Sequence, residues 1–467
     1  MSSSSSTASS DLSGARVVIM GLGSHGGGAA SARYCAEAGA EVTVTDLRGE
    51  DELAASVAGL SDLPLRFVLG RHEADDFRQA DIVVKNPAVP RTVPLLREAR
   101  RIETDISLFL ARYGGPVLAI TGTKGKSTTA SALHHLLLGA HPGARLGGNI
   151  TVSPLTFLDD LGGDEPVVLE LSSFQLGDIL LTPLGRGGTL PGFAVSVVTN
   201  LLPDHQDYYR SMDEYAADKA LSFSGQTDGT WCNLSLDDPW SAAYRPPHPE
   251  RVVRLTTAPD AVRRPLATLG GGRGVFLGGG GAPPVELVPE RTRLSGSHVR
   301  TNMLIAAVAA HLFGMDDAIV RERTASFAGV PHRLEDVAIV HGIRYVNDSA
   351  ATIAEATDAA TQSFTEPIHL IAGGSDKGVP LEAFTVIAGR TASLHLLAGT
   401  ATDRIVGLLE EAGLHYEGPY DSLDNAIEGA AARAREGDVV LLSPGCASFG
   451  MFRNEFHRGD LFRSLVR

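Results

Sequence analysis

Residues 116–129 read PVLAITGTKGKSTT, a short apolar run, VLAI, that leads directly into a glycine-bounded turn and then a helix-compatible segment. Strand, turn and helix in that order build a phosphate site. Backbone N–H groups of the turn converge on oxygens, and the helix N-terminus adds the positive end of its dipole. Lys126 supplies a point charge, and Ser127 or Thr128 offers a hydroxyl to Mg²⁺. The ordinary P-loop has glycine where Ile120 stands, so this loop is shorter and begins at Gly122. Gly122, Thr123, Lys124, Gly125, Lys126, Ser127 and Thr128 are the candidate nucleotide contacts. The competing reading, a plain glycine-rich turn with a surface lysine, leaves the combined G-K-S-T and its flanking strand unexplained.

With 467 residues the chain exceeds what one hydrophobic core usually serves, and about three domains are expected. Its 43% apolar and 20% charged residues suit an ordinary globular enzyme. A net charge of −15 without a Lys/Arg run excludes a phosphate-backbone footprint, so nucleic acid is not an expected partner. Cys35, Cys232 and Cys446 are far apart and form neither a disulfide framework nor a zinc site. The opening MSSSSSTASSD lacks a basic n-region and an apolar core, and no stretch of about 18 apolar residues occurs to span a membrane. The expectation is a cytoplasmic, monomeric protein with a disordered tail over 1–10.

Residues 16–46 read strand, glycine turn, helix, strand, with Gly21, Gly23 and Gly26 in G-x-G-x-x-G register and Asp46 closing the second strand. This Rossmann-type opening admits a diphosphate-bearing nucleotide, and alone it would indicate NAD; close helix-on-strand packing is the other use of such glycines. ADIVVKNPAVP adds a strand that ends at Asn86-Pro87, on the edge where open α/β sheets place ligands. IETDISLFLARYGGP reads as an amphipathic linker helix, which puts a boundary near 103. GGNI, PVVLELSSFQL, FAVSVVTNLLPDHQDYY and DEYAADKALSF then alternate strand with helix, as in a mostly parallel sheet. The Gly- and Pro-rich segment 234–293 yields no assignment. Helices over 298–313 and 318–327 close the region. From 337 onward come a hairpin, a helix over 352–363, strand HLIAGG, a helix over 381–389, strand LHLLAG, two helices, strand DVVLLSPG and a final helix. The expected fold is α/β with three domains: a Rossmann-like one over 11–103, a central P-loop ATPase-type one over 104–328, and a Rossmann-like one over 329–467.

Glu170 ends a strand where its carboxylate can reach a Mg²⁺ held by Ser127 or Thr128. Asp204-His205 follows another strand toward the same edge. A lone loop histidine is ordinarily a surface or packing residue, and its weight here comes from Asn200 and Asp204 nearby. On residues alone Lys219 is a helix-surface lysine, since an ammonium has no lone pair for a metal.

TGTKGKST, GGN, ELSSFQL, TN…DH, Y-x-x-x-K, G-x-H-x-x-x-N, HR, NDS-x-A-T, GG-x-x-KG and SPGCASF…N-x-x-x-RG occur in the order found in the Mur ligases, which the chain resembles over nearly its whole length. ELSSFQL and the C-terminal motif look most like the D-glutamate-adding members. The resemblance implies an ATP-dependent amide ligase of peptidoglycan synthesis that adds D-glutamate to UDP-N-acetylmuramoyl-L-alanine through an acyl phosphate. Such chemistry asks for a phosphate loop, Mg²⁺ sites of oxygen ligands and extra cations. It further implies that Lys126, Ser127 and Thr128 hold ATP and Mg²⁺, and that Glu170 and His205 ligate two magnesium ions. Lys219 becomes a carboxylate-like ligand by carbamylation, and Asn149 lies near the reacting carboxyl. Asn302, Arg333 and Asp348 contact the adenine nucleotide. The first domain then binds UDP rather than NAD, through Gly23, Ser24, His25, Asp46, Arg48 and Asn86, with Ser172 beside the substrate and Thr352, Lys377, Ser448 and Phe456 around the amino acid.

The chain departs from the family's usual residues at Lys124, Thr151, Val299, Ala350, where lysine is usual, and Glu455-Phe456, where the order is commonly reversed. The last two lie near the incoming amino acid and leave L-glutamate or another amino acid open. ELSSFQL argues against a folate-type acceptor. A dehydrogenase would leave GKST without a use, and a nucleotide-binding regulator would show no turnover.

Overall fold

The computed structural model describes residues 12–23, 27–150, 152–206, 208–256, 259, 264–294, 297–376 and 380–466. Apolar runs too short for helices form its strands, and β-branched VV, IVV and VSVV pieces suit positions buried on both faces of a parallel sheet. A five-stranded parallel sheet comes first: β1 (Arg16–Met20), β2 (Glu41–Asp46), β3 (Arg66–Leu69), β4 (Ile82–Lys85) and β5 (Ile102–Glu103), in the order β3-β2-β1-β4-β5.

The second sheet has nine strands. Four of them, β6 (Val117–Thr121), β7 (Arg145–Gly148), β8 (Val167–Glu170) and β9 (Val195–Val198), pair in parallel in the order β9-β6-β8-β7. Every residue of β6, β8 and β9 is buried. The segment 234–293, which the sequence left unassigned, extends this sheet beyond β9. β10 (Trp231–Ser235), β11 (Val252–Leu255) and β12 (Leu266–Gly270) continue in parallel, then β13 (Arg273–Leu277) and β14 (Val285–Val288) turn back antiparallel. Its glycines mark turns: Gly271 and Gly272, both at positive φ, join β12 to β13. The helix Ser297–Phe313 covers this sheet with a row of small residues from Ala306 to Ala310, all buried.

The third sheet holds β15 (Glu335–Val340), β16 (Ile343–Asn347), β17 (Ile368–Gly373), β18 (Ser393–Leu397), β19 (Glu417–Tyr420) and β20 (Val439–Leu442), in the order β15-β16-β20-β17-β18-β19. Only the β15–β16 hairpin is antiparallel. The chain is thus α/β with three mostly parallel sheets. β19 is an addition to the two helices read from sequence between β18 and β20; EGPY is legible as a strand only at a sheet edge, where proline does no harm.

By its contacts the chain forms two compact units, Met1–Phe327 and Ala328–Arg467. The expected linker helix is part of the core of the first. Ile102–Glu103 pairs with β4, and the helix Asp105–Arg112 starts in a capping box of Thr104 and Ser107 and buries Ile106, Leu108 and Phe109. One apolar cluster runs from Val17 and Ile19 of the first sheet through Phe109 to Leu169 and Leu176 beside the second. An ion pair crosses the same seam: Lys85 at the end of β4 donates to Asp178, and both side chains are fully buried. Burial pushes the Asp178 carboxyl up to about 6 and the Lys85 amine down, so desolvation outweighs attraction.

Breaking one half of such a pair removes the nearest counter-charge and leaves Asp178 with the more distant Arg91, whose Nε lies 3.9 Å from Oδ1. Lys85→Met is expected to destabilise the first unit by about 3–5 kcal/mol in urea unfolding, and Lys85→Met with Asp178→Leu to recover most of that loss. A single variant as stable as the parent would show that the pair holds nothing.

Candidate active site

Three neighbouring parallel strands end at one edge of the second sheet. The register sets Ile120 beside Glu170 and Thr121 beside Val198, so the loop after β6 lies between the end of β8 and the Thr199-Asn200 turn after β9. Gly122 has φ 137°, and a Cβ there would meet Thr199 Oγ1 at 2.0 Å. Gly125, at φ 83°, begins the helix Lys126–Leu137, and its missing Cβ makes room for Asn302. The turn is held by its neighbour: Asn200 Oδ1 accepts from Lys124 N at 2.9 Å, Thr199 Oγ1 donates to Lys124 O at 2.7 Å, and Asn200 Nδ2 donates to the same oxygen at 3.1 Å. Thr123 Oγ1 meets Tyr215 OH at 3.0 Å, and Lys126 Nζ donates to Thr123 O at 2.9 Å. Ser127 and Thr128 occupy the first turn of the helix, half-buried. The exposed Lys124 faces Asp204 at 3.5 Å.

Glu170 is buried at the end of β8. Its Oε1 accepts from Asn149 Nδ2 at 2.9 Å, and its Oε2, equally buried, has no hydrogen-bond partner. An orphaned carboxylate oxygen beside a phosphate loop fits a Mg²⁺ ligand, because that ion takes one or two protein carboxylates and keeps its other positions for waters and phosphates. Lys219 is 1% exposed; its Nζ donates to Gly122 O at 2.9 Å and lies 4.7 Å from the centre of the Tyr215 ring. Burial first, and the charge of Lys126 second, push its amine down to about 7. The surface lysine of the residue-only reading is therefore a buried one, half neutral near neutral pH. His205 is exposed in left-handed backbone (φ 54°), its ring edge-on to Phe174 at 4.9 Å. Sequence reasoning did not assign Tyr215 or Thr199. The Y-x-x-x-K spacing carries the signal for Tyr215, since residues four apart share a helix face in Met212–Ala220.

At the first sheet, Gly21, Gly23, Asp46, Arg48 and Asn86 gather at the ends of β1, β2 and β4. Asp46 accepts from Arg48 N and Nε through Oδ1, and from Arg48 Nη2 and Gly23 N through Oδ2. Burial works against the Asp46 carboxylate, but these donors outweigh it and hold the group below its usual range. Asn86 Nδ2 donates to Gly21 O at 3.2 Å, and Oδ1 accepts from Ala88 N. Ser24, His25 and Gly26 lie outside the described residues, as does Thr151. Ser172 caps the helix Ser173–Ile179 in a capping box with Gln175.

In the second unit, β16, β20 and β17 are adjacent and parallel, and the loops that follow them carry Asp348 to Thr352, Ser443 to Ser448, and Gly374 to Asp376. Asp348 Oδ1 accepts from Leu334 N and Oδ2 from Ser443 Oγ; burial raises its carboxyl to about 6. Arg333 is exposed, Ser448 buried, Thr352 half-buried and Phe456 38% exposed. Lys377 lies outside the described residues.

A parallel α/β sheet with a phosphate loop, an orphaned carboxylate and a buried near-neutral lysine at one edge is the pattern of a nucleotide-dependent ligase, and the comparisons name the class. Residues 120–310 match the Mur ligase middle domain and residues 15–107 the Mur ligase MurD-like N-terminal domain, and the chain belongs to the Mur ligase family. It is 42% identical to a protein of Roseiflexus sp. (strain RS-1) over 97% of this chain and 99% of the relative, and 37% identical to one of Treponema pallidum (strain Nichols) over 98% of each. Both relatives are named UDP-N-acetylmuramoylalanine--D-glutamate ligase. Among solved structures it is similar in fold to the UDP-N-acetylmuramate-alanine ligase MurC of Thermotoga maritima, with TM-score 0.54 and 18% identity over 97% of this chain and 99% of that one. It is also similar to a murein peptide ligase of Psychrobacter arcticus, with TM-score 0.51 and 15% identity over 97% and 98%.

Asn200 grips the phosphate loop by two side-chain hydrogen bonds that an alanine removes. Asn200→Ala is expected to weaken ATP binding by up to about thirtyfold in calorimetry, from two bonds of roughly 1 kcal/mol each, with the melting temperature little changed. Unaltered affinity would mean that the loop holds its shape without this support.

Proposed function

We propose that this chain is an ATP-dependent ligase that joins D-glutamate to UDP-N-acetylmuramoylalanine, forming ADP and phosphate, as a cytoplasmic enzyme of peptidoglycan precursor synthesis. The observation that carries the reading is the meeting, at one sheet edge, of the 122–128 loop, the orphaned Glu170 Oε2 and the buried Lys219. The names of the full-length relatives point to the same substrates. Among the described residues no helix is long and apolar enough to cross a membrane.

The substrate carboxylate attacks the γ-phosphorus of ATP, ADP leaves, and the amine of glutamate displaces phosphate from the acyl carbon. Mg²⁺, when bound, neutralises charge on the transferring phosphoryl group. Loop N–H groups and Lys126 cradle the phosphates, Ser127 and Thr128 offer hydroxyls, and Glu170 and His205 offer the metal contacts. Asn149 holds Glu170 Oε1, which fixes the other oxygen in place for the ion. Lys219, in its free-amine form, adds CO₂ with loss of a proton and becomes a carbamate, an oxygen donor that its ammonium cannot be. In this reading 11–103 receives the UDP through Gly23, Asp46, Arg48 and Asn86, 104–328 receives ATP, and 329–467 receives the amino acid near Thr352, Lys377, Ser448 and Phe456. A second reading, a different amino acid, is favoured by Ala350, which places no cation where the family commonly has lysine.

The test is phosphate release from ATP with UDP-N-acetylmuramoyl-L-alanine across D-glutamate, L-glutamate and neutral amino acids. D-Glutamate is expected to be preferred; a neutral or L-amino acid in its place overturns the substrate assignment.

Lys126→Ala is expected to lose at least about a thousandfold in turnover while remaining folded, since its charge serves the transition state. Lys219→Ala is expected to be nearly inactive and partly restored by acetate or formate but not chloride; full activity without these salts would return Lys219 to a structural role.

A further inference from the structure

The loop that leaves β4 starts at the ligand edge of the first sheet and runs to the segments that follow β9 in the second. At its start Asn86 Nδ2 is bonded to Gly21 O, and Val89 N donates to Asn86 O at 3.0 Å. Pro87 and Pro90 fix their own φ angles, so the stretch from Asn86 to Arg91 is stiff. At its far end Arg91 reaches two segments at once. Backbone N and Nε donate to Tyr208 OH at 3.4 and 3.2 Å, Nη1 donates to Asp218 Oδ1 at 3.3 Å, and Nη2 donates to Asp218 Oδ2. Tyr209 OH donates to that same Oδ2 at 2.8 Å. The Arg91 side chain is 24% exposed and that of Asp218 11%, so the pair is largely out of water. The helix Ser173–Ile179 makes room for it at Gly177, where a Cβ would meet Arg91 Nη1 at 2.4 Å and Asp218 Oδ2 at 2.5 Å.

The segments it grips carry two of the residues offered to Mg²⁺. Asp218 immediately precedes Lys219 on the helix Met212–Ala220, and the backbone N of Tyr208 and of Tyr209 each donate to His205 O at 3.0 Å. Phe174 packs edge-on against His205 and Tyr208 and flat on Tyr209, with ring centres 4.9, 4.7 and 5.7 Å apart. His205 and Lys219 therefore belong to different segments, and the Asp218 carboxylate is the acceptor that the Arg91 fork and the Tyr209 hydroxyl share. Adhesion between the two sheets does not call for this fork, because the apolar cluster through Phe109 already joins them. A bidentate guanidinium–carboxylate pair adds direction instead: it sets the rotation of the helix about its axis, and with it where the next residue, Lys219, points.

We infer that Arg91 is a positioning residue of the ligase, which reaches across from the substrate-side loop and holds His205 and Lys219 in place for Mg²⁺ before the ion binds. The inference rests on the ligase reading above. It adds a residue that acts through Asp218, Tyr208 and Tyr209 rather than on the reacting groups.

The experiment compares the parent with Arg91→Lys and Arg91→Met in amide hydrogen exchange, without nucleotide or metal, and in steady-state kinetics. Arg91→Met is expected to exchange about tenfold faster at 208–220 while β1 and β4 stay as protected as in the parent. Its kcat is expected to fall about thirtyfold and the Mg²⁺ concentration for half-maximal rate to rise about tenfold, with KM for the UDP-substrate within about twofold, as when a partner that orients a metal ligand is lost. Arg91→Lys keeps the charge without the fork and is expected to lie between the two. A purely structural seam would loosen β1 and β4 equally and leave the Mg²⁺ requirement alone. Unaltered exchange at 208–220, exchange raised as much in β1 and β4, or an unchanged Mg²⁺ requirement overturns the inference. A parent that releases no phosphate with its substrates overturns the ligase reading instead, and exchange at 208–220 still judges the positioning by Arg91.

Discussion

The chemistry of the first unit depends on the parallel register of β9, β6 and β8. Parallel neighbours share polarity, so their C-terminal ends open on the same edge and the loops that leave them meet without further arrangement. Pairing Ile120 with Glu170 and Thr121 with Val198 puts the phosphate loop, the carboxylate and the Thr199-Asn200 brace within one turn of each other. Side chains alternate along a strand, so a slip of β8 by one residue would send Glu170 to the other face of the sheet. Burial of every residue of these strands makes that slip expensive, because each apolar side chain is already matched to a layer on its own face. The helix Met212–Ala220 completes the set by bringing Lys219 to Gly122 O and Tyr215 to Thr123.

Charge at this edge is kept out of balance. Lys126 and Lys219 repel one another across the loop, which helps to hold Lys219 near neutrality, while Glu170 has one oxygen satisfied and one not. A buried polar atom without a partner costs about 1–3 kcal/mol, and a fold tolerates this where a ligand later supplies the partner. In the second unit the buried Arg458 guanidinium is anchored by the carbonyls of Ser349 and Cys446, with attraction from Glu455 on its own helix, and so ties the loops that leave two adjacent parallel strands.

The features that could be read from sequence are those built from contiguous backbone. The phosphate loop is one strand, one turn and one helix end, so TGTKGKST carries all of it, and the G-x-G opening of β1 is legible for the same reason. Thr199 acts through a partner 75 residues away that no local pattern reports, and the Y-x-x-x-K spacing marks Tyr215 without telling that its partner Thr123 lies 92 residues off. The segment 234–293 hid its strands because glycines at positive φ crowd its turns, and β19 because a Gly-Pro pair interrupts an edge strand. The helix Asp105–Arg112 looked like a linker since a single amphipathic turn pattern says nothing of what covers it. Phe109 instead packs into the cluster that joins the first two sheets.

The first sheet also separates two uses of a glycine-rich Rossmann opening. A dinucleotide site needs the acid at the end of its second strand to accept hydroxyls from a ribose. A carboxylate offers about four lone-pair sites, and at Asp46 four donors already fill them: Arg48 N, Nε and Nη2, and Gly23 N. Little acceptor capacity is left for a ribose, and the bidentate clamp fixes the guanidinium of Arg48 at the strand end. Leu47 beside it is 68% exposed, an apolar side chain presented to solvent between the two. An arginine held in this way presents a fixed guanidinium at the strand end. The chemistry of the strand end thus argues against a nicotinamide site on grounds independent of the P-loop in the second sheet.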